Sequence, residues 1–286
     1  VICGEYKKIG VKKNIKENIF STAIQLKNID FMSVRAKKHL GQHFLTDENI
    51  AKNIVDALTF ENYSKVLEVG PGMGVLTKYL LDKNAEIFVA EIDSESIDYL
   101  KNHYPKLQEQ HFTGDFLKID VANVFNDQVA VIGNFPYNIS SQILFKIIDF
   151  YDHVPEMVGM FQKEVAERTA AVPRTKDYGI LSVLVQALYD VKYLFTVHEN
   201  VFNPPPKVKS GVIKLTRNPK EGLAGNEVLF KQIVKAGFGQ RRKKLSNSLK
   251  VLNIPEALQN HPFLEKRAEE LSVQDFISFT IEWKNA

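Results

Sequence analysis

The sequence predicts an α/β fold, a parallel doubly wound sheet followed by a smaller C-terminal segment of helices. Three observations predict it. Short apolar runs at 66–69, 86–90, 129–132 and 156–161 alternate with stretches of helical periodicity, as βαβ units require. The first run enters a glycine-rich turn, Gly70-Pro71-Gly72-Met73-Gly74, ahead of a helix. Past a β-rich run at 208–215 the pattern becomes helical, over 227–238, 243–252, 265–271 and 273–283.

The elements follow in order. Thr46 is the expected N-cap of the first helix, with Asp47 and Glu48 suited to the positive end of its dipole. Ile50, Ile54, Val55 and Leu58 share one face of that helix. Val66-Leu67-Glu68-Val69 is the first strand, and the helix after its glycine turn covers 75–81. The strand at 86–90 leads to a helix at 94–102, and the strands at 129–132 and 156–161 complete the parallel set. Asn218-Pro219 and the stretch from Gly222 to Asn226 form the expected linker. Met32, followed by Ser33, Val34 and Arg35, reads as a start of translation. The expected organisation is therefore an extension over 1–31, disordered or non-native, an α/β domain over 32–217 and a helical domain over 218–286.

Composition narrows the function classes. With 44% hydrophobic and 25% charged residues, the chain is globular in composition, which excludes collagen and coiled coil. No run approaches the roughly 18 apolar residues of a membrane helix, and the first residues lack the apolar core of a signal peptide. Cys3 is the single cysteine, so no disulfide framework exists and the expected compartment is the reducing cytosol. Charge is more informative once divided. The 37 basic and 34 acidic residues give +3, all of it accounted for by residues 1–31. Residues 200–250 nevertheless hold twelve Lys and Arg against Glu221 and Glu227 alone. Such a segment attracts phosphate polymers, or is a solvated face.

The chemistry sits at strand ends. A glycine turn after a strand lets a ligand approach the backbone, and the next helix offers free N–H groups. The spacing is G-x-G-x-G, not the dinucleotide G-x-G-x-x-G. Glu91, seventeen residues beyond Gly74 at the end of the next strand, stands where a ribose-binding carboxylate belongs. Asp115, after Gly114, is a candidate acceptor for an adenine amine; a helix cap or turn residue is the other reading. Asn134-Phe135-Pro136-Tyr137 ends the 129–132 strand. An exocyclic adenine amine is a poor nucleophile because its lone pair is delocalised into the ring. Accepting both its N–H bonds, through the Asn134 side-chain oxygen and the Pro136 carbonyl, localises that pair, while Tyr137 offers a face for an extruded base. An ordinary turn with a buried tyrosine is the alternative.

Taken together, Glu68 to Gly74, Glu91, Asp115 and Asn134 to Tyr137 resemble the S-adenosylmethionine-dependent ribosomal RNA adenine N6-dimethyltransferases. The resemblance extends from Arg35 to the C-terminus. It includes Lys38-His-Leu-Gly-Gln-His-Phe-Leu45, Phe161-Gln-Lys-Glu-Val-Ala-Glu-Arg168, Tyr178-Gly-Ile-Leu-Ser-Val183 and Phe202-Asn-Pro-Pro-Pro-Lys-Val-Lys-Ser210. Phe238-Gly-Gln-Arg-Arg-Lys-Lys-Leu-Ser-Asn-Ser-Leu249 points to the bacterial small-subunit branch, the kasugamycin-resistance dimethyladenosine transferases. The resemblance implies a Rossmann-like S-adenosylmethionine-dependent methyltransferase domain with a smaller C-terminal α-helical domain. It implies S-adenosyl-L-methionine as cofactor, and 16S rRNA in a small-subunit (30S) assembly intermediate as partner. A cytoplasmic monomer without membrane association is expected.

By the same resemblance His43 and Leu45 close over the methionine end of the cofactor, and Glu68, Gly70, Gly72 and Gly74 form its turn. Glu91 takes the ribose, Asp115 the adenine, and Asn134 touches both cofactor and target amine. Phe202 becomes a second stacking wall opposite Tyr137. The family more often carries Asn at the position of His43. The sulfonium methyl is already activated, so no metal is required, and no Cys/His cluster has metal spacing. Arg241, Arg242, Lys243 and Lys244 are expected to open a helix. That unfavourable place for cations points to an external anion, the rRNA backbone, a role extended to Arg35, Lys37 and Lys38. A methylase of 23S rRNA is the near alternative, opposed by the basic helical C-terminal segment. A vestigial RNA-binding assembly factor is the distant one, opposed by the intact 134–137 segment and Glu91.

Overall fold

The structure, a computed structural model, describes residues 34–218, 223 and 225–286. Residues 1–31, Met32 and much of the expected linker lie outside the described residues. The described strands are β1 (Phe44–Leu45), β2 (Lys65–Val69), β3 (Glu86–Ala90), β4 (Val129–Asn134), β5 (Glu156–Gln162), β6 (Tyr189–Val197), β7 (Phe202–Asn203) and β8 (Ser210–Arg217). Six of them form one sheet in the order β3-β2-β4-β5-β8-β6, and β1 pairs with β7. The first four of that order run parallel, whereas β8 is antiparallel to both β5 and β6. The four strands expected to run parallel do so, and β8 and β6 extend the sheet antiparallel, making it mixed. The 198–209 connection from β6 to β8 holds a 3-10 turn, Glu199–Val201, and β7 rather than a crossover helix, and the chain returns antiparallel.

Both faces of the sheet are covered, and successive residues go to opposite sides. Leu67, Val131, Met157 and Leu215 belong to one apolar cluster. Val66, Ile132, Val158 and Val212 belong to the other. At the edge, β6 exposes Asp190 and Thr196, polar side chains that discourage pairing with another chain.

The helices are α1 (Glu48–Asp56), α2 (Thr77–Leu80), α3 (Ser94–His103), α4 (Val121–Phe125), α5 (Ser140–Asp149), α6 (Lys163–Thr169) and α7 (Ile180–Gln186), then α8 (Glu227–Gly239), α9 (Leu245–Ser248) and α10 (Val273–Asn285). The N-cap of α1 is Asp47, whose carboxylate accepts from the N–H groups of Asn49 and Ile50. Thr46 instead donates its hydroxyl to the Val201 carbonyl, 2.9 Å away. The helix expected over 75–81 shrinks to α2 because the glycine turn continues through Leu76. The helix expected over 243–252 is α9 plus a 3-10 turn, Lys250–Leu252, and the 265–271 helix is replaced by two 3-10 turns, Pro262–Glu265 and Ala268–Glu270. Residues 36–286 make one compact unit. Phe230, Ile233, Leu245, Phe276 and Trp283 from the C-terminal helices lie in the same cluster as Val183 and Leu184 of α7.

Candidate active site

The strand ends converge on one cleft. Its walls are the 39–44 segment, the turn at Gly70 and Gly72, Glu91 and Ile92, Asp115 to Leu117, and Asn134 to Ile139. About 890 Å³ of space free of protein atoms lies within it, open solvent at its mouth included. A recess beneath, bordered by Leu45, Glu68, Met73 and Tyr104, shares Phe44, Gly70 and Asn134 with the cleft.

The turn can only be glycine-rich. Gly72 has φ +55°, and a Cβ there would lie 2.8 Å from the Phe44 ring, so a side chain would be strained by backbone and neighbour alike. Its N–H donates to Glu91 Oε2 at 3.1 Å, while Glu91 Oε1 accepts from the N–H groups of Ile92 (2.9 Å) and Asp93 (3.0 Å). Burial raises the Glu91 pKa, and those three backbone bonds oppose the rise. Asp115 Oδ1 takes the Leu117 N–H at 3.0 Å, and Lys118 stands 3.2 Å from the other oxygen. Gly74 lines neither cavity; it packs under the Tyr104 ring, where a Cβ would come within 2.5 Å.

Glu68 is fully buried and accepts the Thr77 hydroxyl at 2.6 Å. Burial lifts its carboxyl to about 8, the Thr77 bond lowers it and the charge of Glu91 adds to the rise. A raised carboxyl pKa in the folded state means that the fold holds this proton more tightly than the unfolded chain does. The associated stability is complete below about 4.5, the ordinary glutamate value, and drains away as pH rises through about 8. Glu68→Gln is therefore expected to flatten the decline in urea-unfolding free energy between about pH 5 and about pH 8. An equal decline in variant and wild type would remove Glu68 as its source.

The 134–137 segment is placed by packing beneath it. Gly133 and Gly159 leave room for the Phe135 ring, which a Cβ on Gly159 would meet at 2.1 Å. With Phe135 sunk into the core, Asn134 and Pro136 are left at the cleft. Asn134 Nδ2 donates to the His43 carbonyl at 2.9 Å. A carbonyl only accepts, so the amide orientation is fixed and Oδ1 remains as an acceptor. The Pro136 carbonyl already accepts from Ile139 N–H (3.3 Å) and Ser140 Oγ (3.4 Å), both long enough to be weak. Tyr137 shares a 2.6 Å hydrogen bond with Ser210 Oγ, and burial raises its pKa.

Phe202, expected as the second stacking wall, is buried. Its strand pairs Leu45 with Phe202, and the alternation that exposes Asn203 turns the phenylalanine inward. It is 4% exposed among Leu45, Val197 and Val212 and borders neither cavity. Leu45 is buried in that same cluster and borders the recess, while His43 lines the cleft. Gln42 and Phe44, within the 38–45 stretch, line it as well, and so does Ile92, which belongs to no motif. The only sequence signal for Ile92 is an apolar residue immediately after the strand-end glutamate, and it is 57% exposed.

The basic residues divide into tied and free. Lys37 binds Asp93, with Glu95 at 3.2 Å; burial works against ionised Asp93, but bonds from Lys37, Gln42 and Ser96 bring its pKa below the ordinary value. Arg241 pairs with Glu269 and donates to the carbonyls of Lys176 (2.8 Å) and Thr175 (3.0 Å). Lys244 pairs with Glu265 at 2.6 Å. Arg242 and Lys243 are exposed, with no partner among the described residues. Arg35 and Lys38 are also exposed. Residues 241–243 form a turn rather than the start of a helix, so the dipole argument for an anion lapses, and free charge is what remains.

A glycine turn, a strand-end carboxylate on one side and an oriented amide with an aromatic face on the other define a Rossmann-like S-adenosylmethionine-dependent methyltransferase. The fit is carried by the Gly72 cradle, where a side chain cannot stand. The sequence matches the model of the Ribosomal RNA adenine dimethylase family over residues 33–284, and the chain belongs to that family. Ribosomal RNA small subunit methyltransferase A of Flavobacterium johnsoniae is 58% identical over 248 residues, 86% of this chain and 95% of its own. That of Parabacteroides distasonis is 53% identical over 251 residues, 87% of this chain and 94% of its own. A dimethyladenosine transferase structure from Plasmodium falciparum superposes with TM-score 0.70 at 28% identity, covering 85% of this chain and 98% of that one. The 23S rRNA methyltransferase ErmE shares the fold at TM-score 0.60 and 24% identity, covering 84% and 99%.

S-adenosyl-L-methionine is the cofactor, and when bound it supplies a methyl group activated by its sulfonium. The turn at Gly70 and Gly72 with Glu91, Asp115 and the 43–45 segment would hold it. Asn134 borders both the cleft and the recess.

Proposed function

We propose that this enzyme transfers two methyl groups to the N6 amine of each of two adjacent adenosines near the 3′ end of 16S rRNA. It acts as a cytoplasmic monomer on an assembly intermediate of the small subunit. The observation that carries the chemistry is the Asn134 amide, locked by the His43 carbonyl so that its oxygen stays an acceptor. The small-subunit substrate rests on the relatives named as small-subunit methyltransferases. After one transfer the amine retains an N–H, so the same acceptor serves a second. The residues holding cofactor and base are those of the cleft, with the 218–286 segment as the RNA-binding part.

The test is methyl transfer from labelled S-adenosylmethionine to unmethylated small subunits and, in parallel, to large-subunit RNA, with the modified bases mapped. Dimethyladenosine at two neighbouring positions near the 16S 3′ end is expected. Label in 23S RNA would move the substrate to the other subunit, and RNA binding without label would make the protein an assembly factor. Arg242 and Lys243 carry the phosphate-binding part of the proposal. Replacing both with serine should weaken small-subunit binding and lower the slope of log K against log salt by up to about 0.9 per lost phosphate contact. Cofactor affinity should not change. An unaltered salt slope would return the pair to a solvated surface.

A further inference from the structure

Asp93 does more than cap α3. Its carboxylate accepts the Glu95 N–H at 3.4 Å and the Ser96 hydroxyl at 3.0 Å, and it also binds both ends of the 37–42 loop. Lys37 Nζ bonds Asp93 Oδ1, and Gln42 Nε2 donates to Oδ2 at 3.3 Å. Between these ends the loop closes on itself. The Lys37 N–H donates to Gln42 Oε1 at 2.8 Å, and the Leu40 and Gln42 N–H groups return to the Lys37 carbonyl at 3.0 and 3.5 Å. At the bend, a Cβ on Gly41 would lie 2.8 Å from Asn138 Oδ1, so the loop rests on the segment that carries Asn134 and Tyr137. The next residue, His43, holds the Asn134 amide through its carbonyl. On its other side Asp93 donates its own N–H to Glu91 Oε1 at 3.0 Å.

We propose that Asp93 and Lys37 are positioning residues for methyl transfer: their ion pair, with Gln42, fixes the 37–42 loop so that the His43 carbonyl meets the Asn134 amide. The proposal rests on Asn134 as the acceptor for the target amine, as in the function proposed above. No residue from 37 to 43 is buried, so the loop has no apolar anchor of its own and its place depends on these polar bonds. The Asp93 side chain is 1% exposed. A helix N-terminus already satisfies a capping carboxylate without a cation, and burying an ion pair carries a desolvation cost, so what the pair secures is the loop. Lys37 is thereby an internal tie and not a contact to the rRNA backbone. The same carboxylate residue joins the loop to Glu91, which links the cofactor end of the cleft to the amide at its other end.

Lys37→Met removes the cation from a partly exposed side chain and keeps most of its length. At saturating S-adenosylmethionine it should lower single-turnover methylation of small subunits by about 10-fold or more. The slope of log K against log salt for subunit binding should stay at the wild-type value. Lys37→Arg, which still donates to a carboxylate, should return the rate to within about 3-fold of wild type. Asp93→Asn keeps an oxygen for the helix cap; it should fall as far as Lys37→Met, and the double variant no further. In the Asn134→Ala background Lys37→Met should cost less than about 2-fold, because the amide it serves is gone. A full additional loss in that background overturns the proposal. So does a wild-type rate in Lys37→Met, whether its urea-unfolding free energy falls, which would leave a structural tie, or its salt slope drops by about 0.9, which would return Lys37 to the rRNA backbone. Asn134→Ala measured alone keeps the two readings apart. Wild-type turnover there ends the acceptor role and the positioning role with it, whereas an impaired Asn134→Ala beside an unimpaired Lys37→Met ends the positioning role alone.

Discussion

Asn134→Ala is expected to lower methyl transfer by about 10²–10³-fold at saturating cofactor, the loss typical of removing one oriented polar group from a reacting centre. The affinity for S-adenosylmethionine should change by only a few-fold. The reasoning runs through orientation. The amine needs an acceptor in a fixed place at the moment its lone pair attacks, and the amide is held by its own NH2 on the His43 carbonyl. Asn134→Asp is the sharper companion variant. A carboxylate at that place faces the His43 carbonyl oxygen with a second oxygen, so the 2.9 Å bond becomes a repulsion and the orientation is lost. It should therefore recover little, although it can still accept. Single-turnover methylation of small subunits checks both variants, with calorimetry for the cofactor. Turnover within about 3-fold of wild type in Asn134→Ala would refute the activation account.

The residues at the ends of strands were the most legible part of this site. Each stands where a local rule is broken. Glu68 and Glu91 are carboxylates in otherwise apolar strands or at their ends, and Gly70 and Gly72 interrupt a strand-to-helix transition. Such departures from local consistency mark function. Side-chain direction was less legible, because it depends on pairing with distant segments. Phe202 follows an exposed-looking stretch and precedes three prolines, yet its pairing with Leu45 turns it inward. Charge was legible in amount and not in availability. Arg241 and Lys244 find Glu269 and Glu265, acidic residues more than twenty positions away, and Lys37 finds Asp93 across 56 positions. The antiparallel β6–β8 edge was unreadable for a related reason. Direction in a sheet follows from connection geometry, whereas hydrophobic pattern gives only burial.

Glu91→Ala should weaken S-adenosylmethionine binding by at least about 10²-fold, and for a reason distinct from that at Asn134. Hydrogen bonds to a charged acceptor are worth about 1.5–3 kcal/mol each, and a ribose offers two hydroxyl donors. The carboxylate is also what joins the glycine turn to the end of β3, through the N–H groups of Gly72, Ile92 and Asp93. Its removal strips those buried donors of their acceptor and should lower the unfolding free energy by about 1–3 kcal/mol. Glu91→Gln tests whether acceptance or bulk matters. The amide keeps the volume but turns an NH2 toward a backbone N–H, so it should bind cofactor no better than the alanine variant. Unlike Asn134→Ala, both variants should turn over near the wild-type rate once enough cofactor is supplied, because Glu91 is a strand away from the amine. Calorimetric affinity unchanged from wild type in Glu91→Ala would take the carboxylate out of the cofactor site, leaving it as a tie between the turn and the strand.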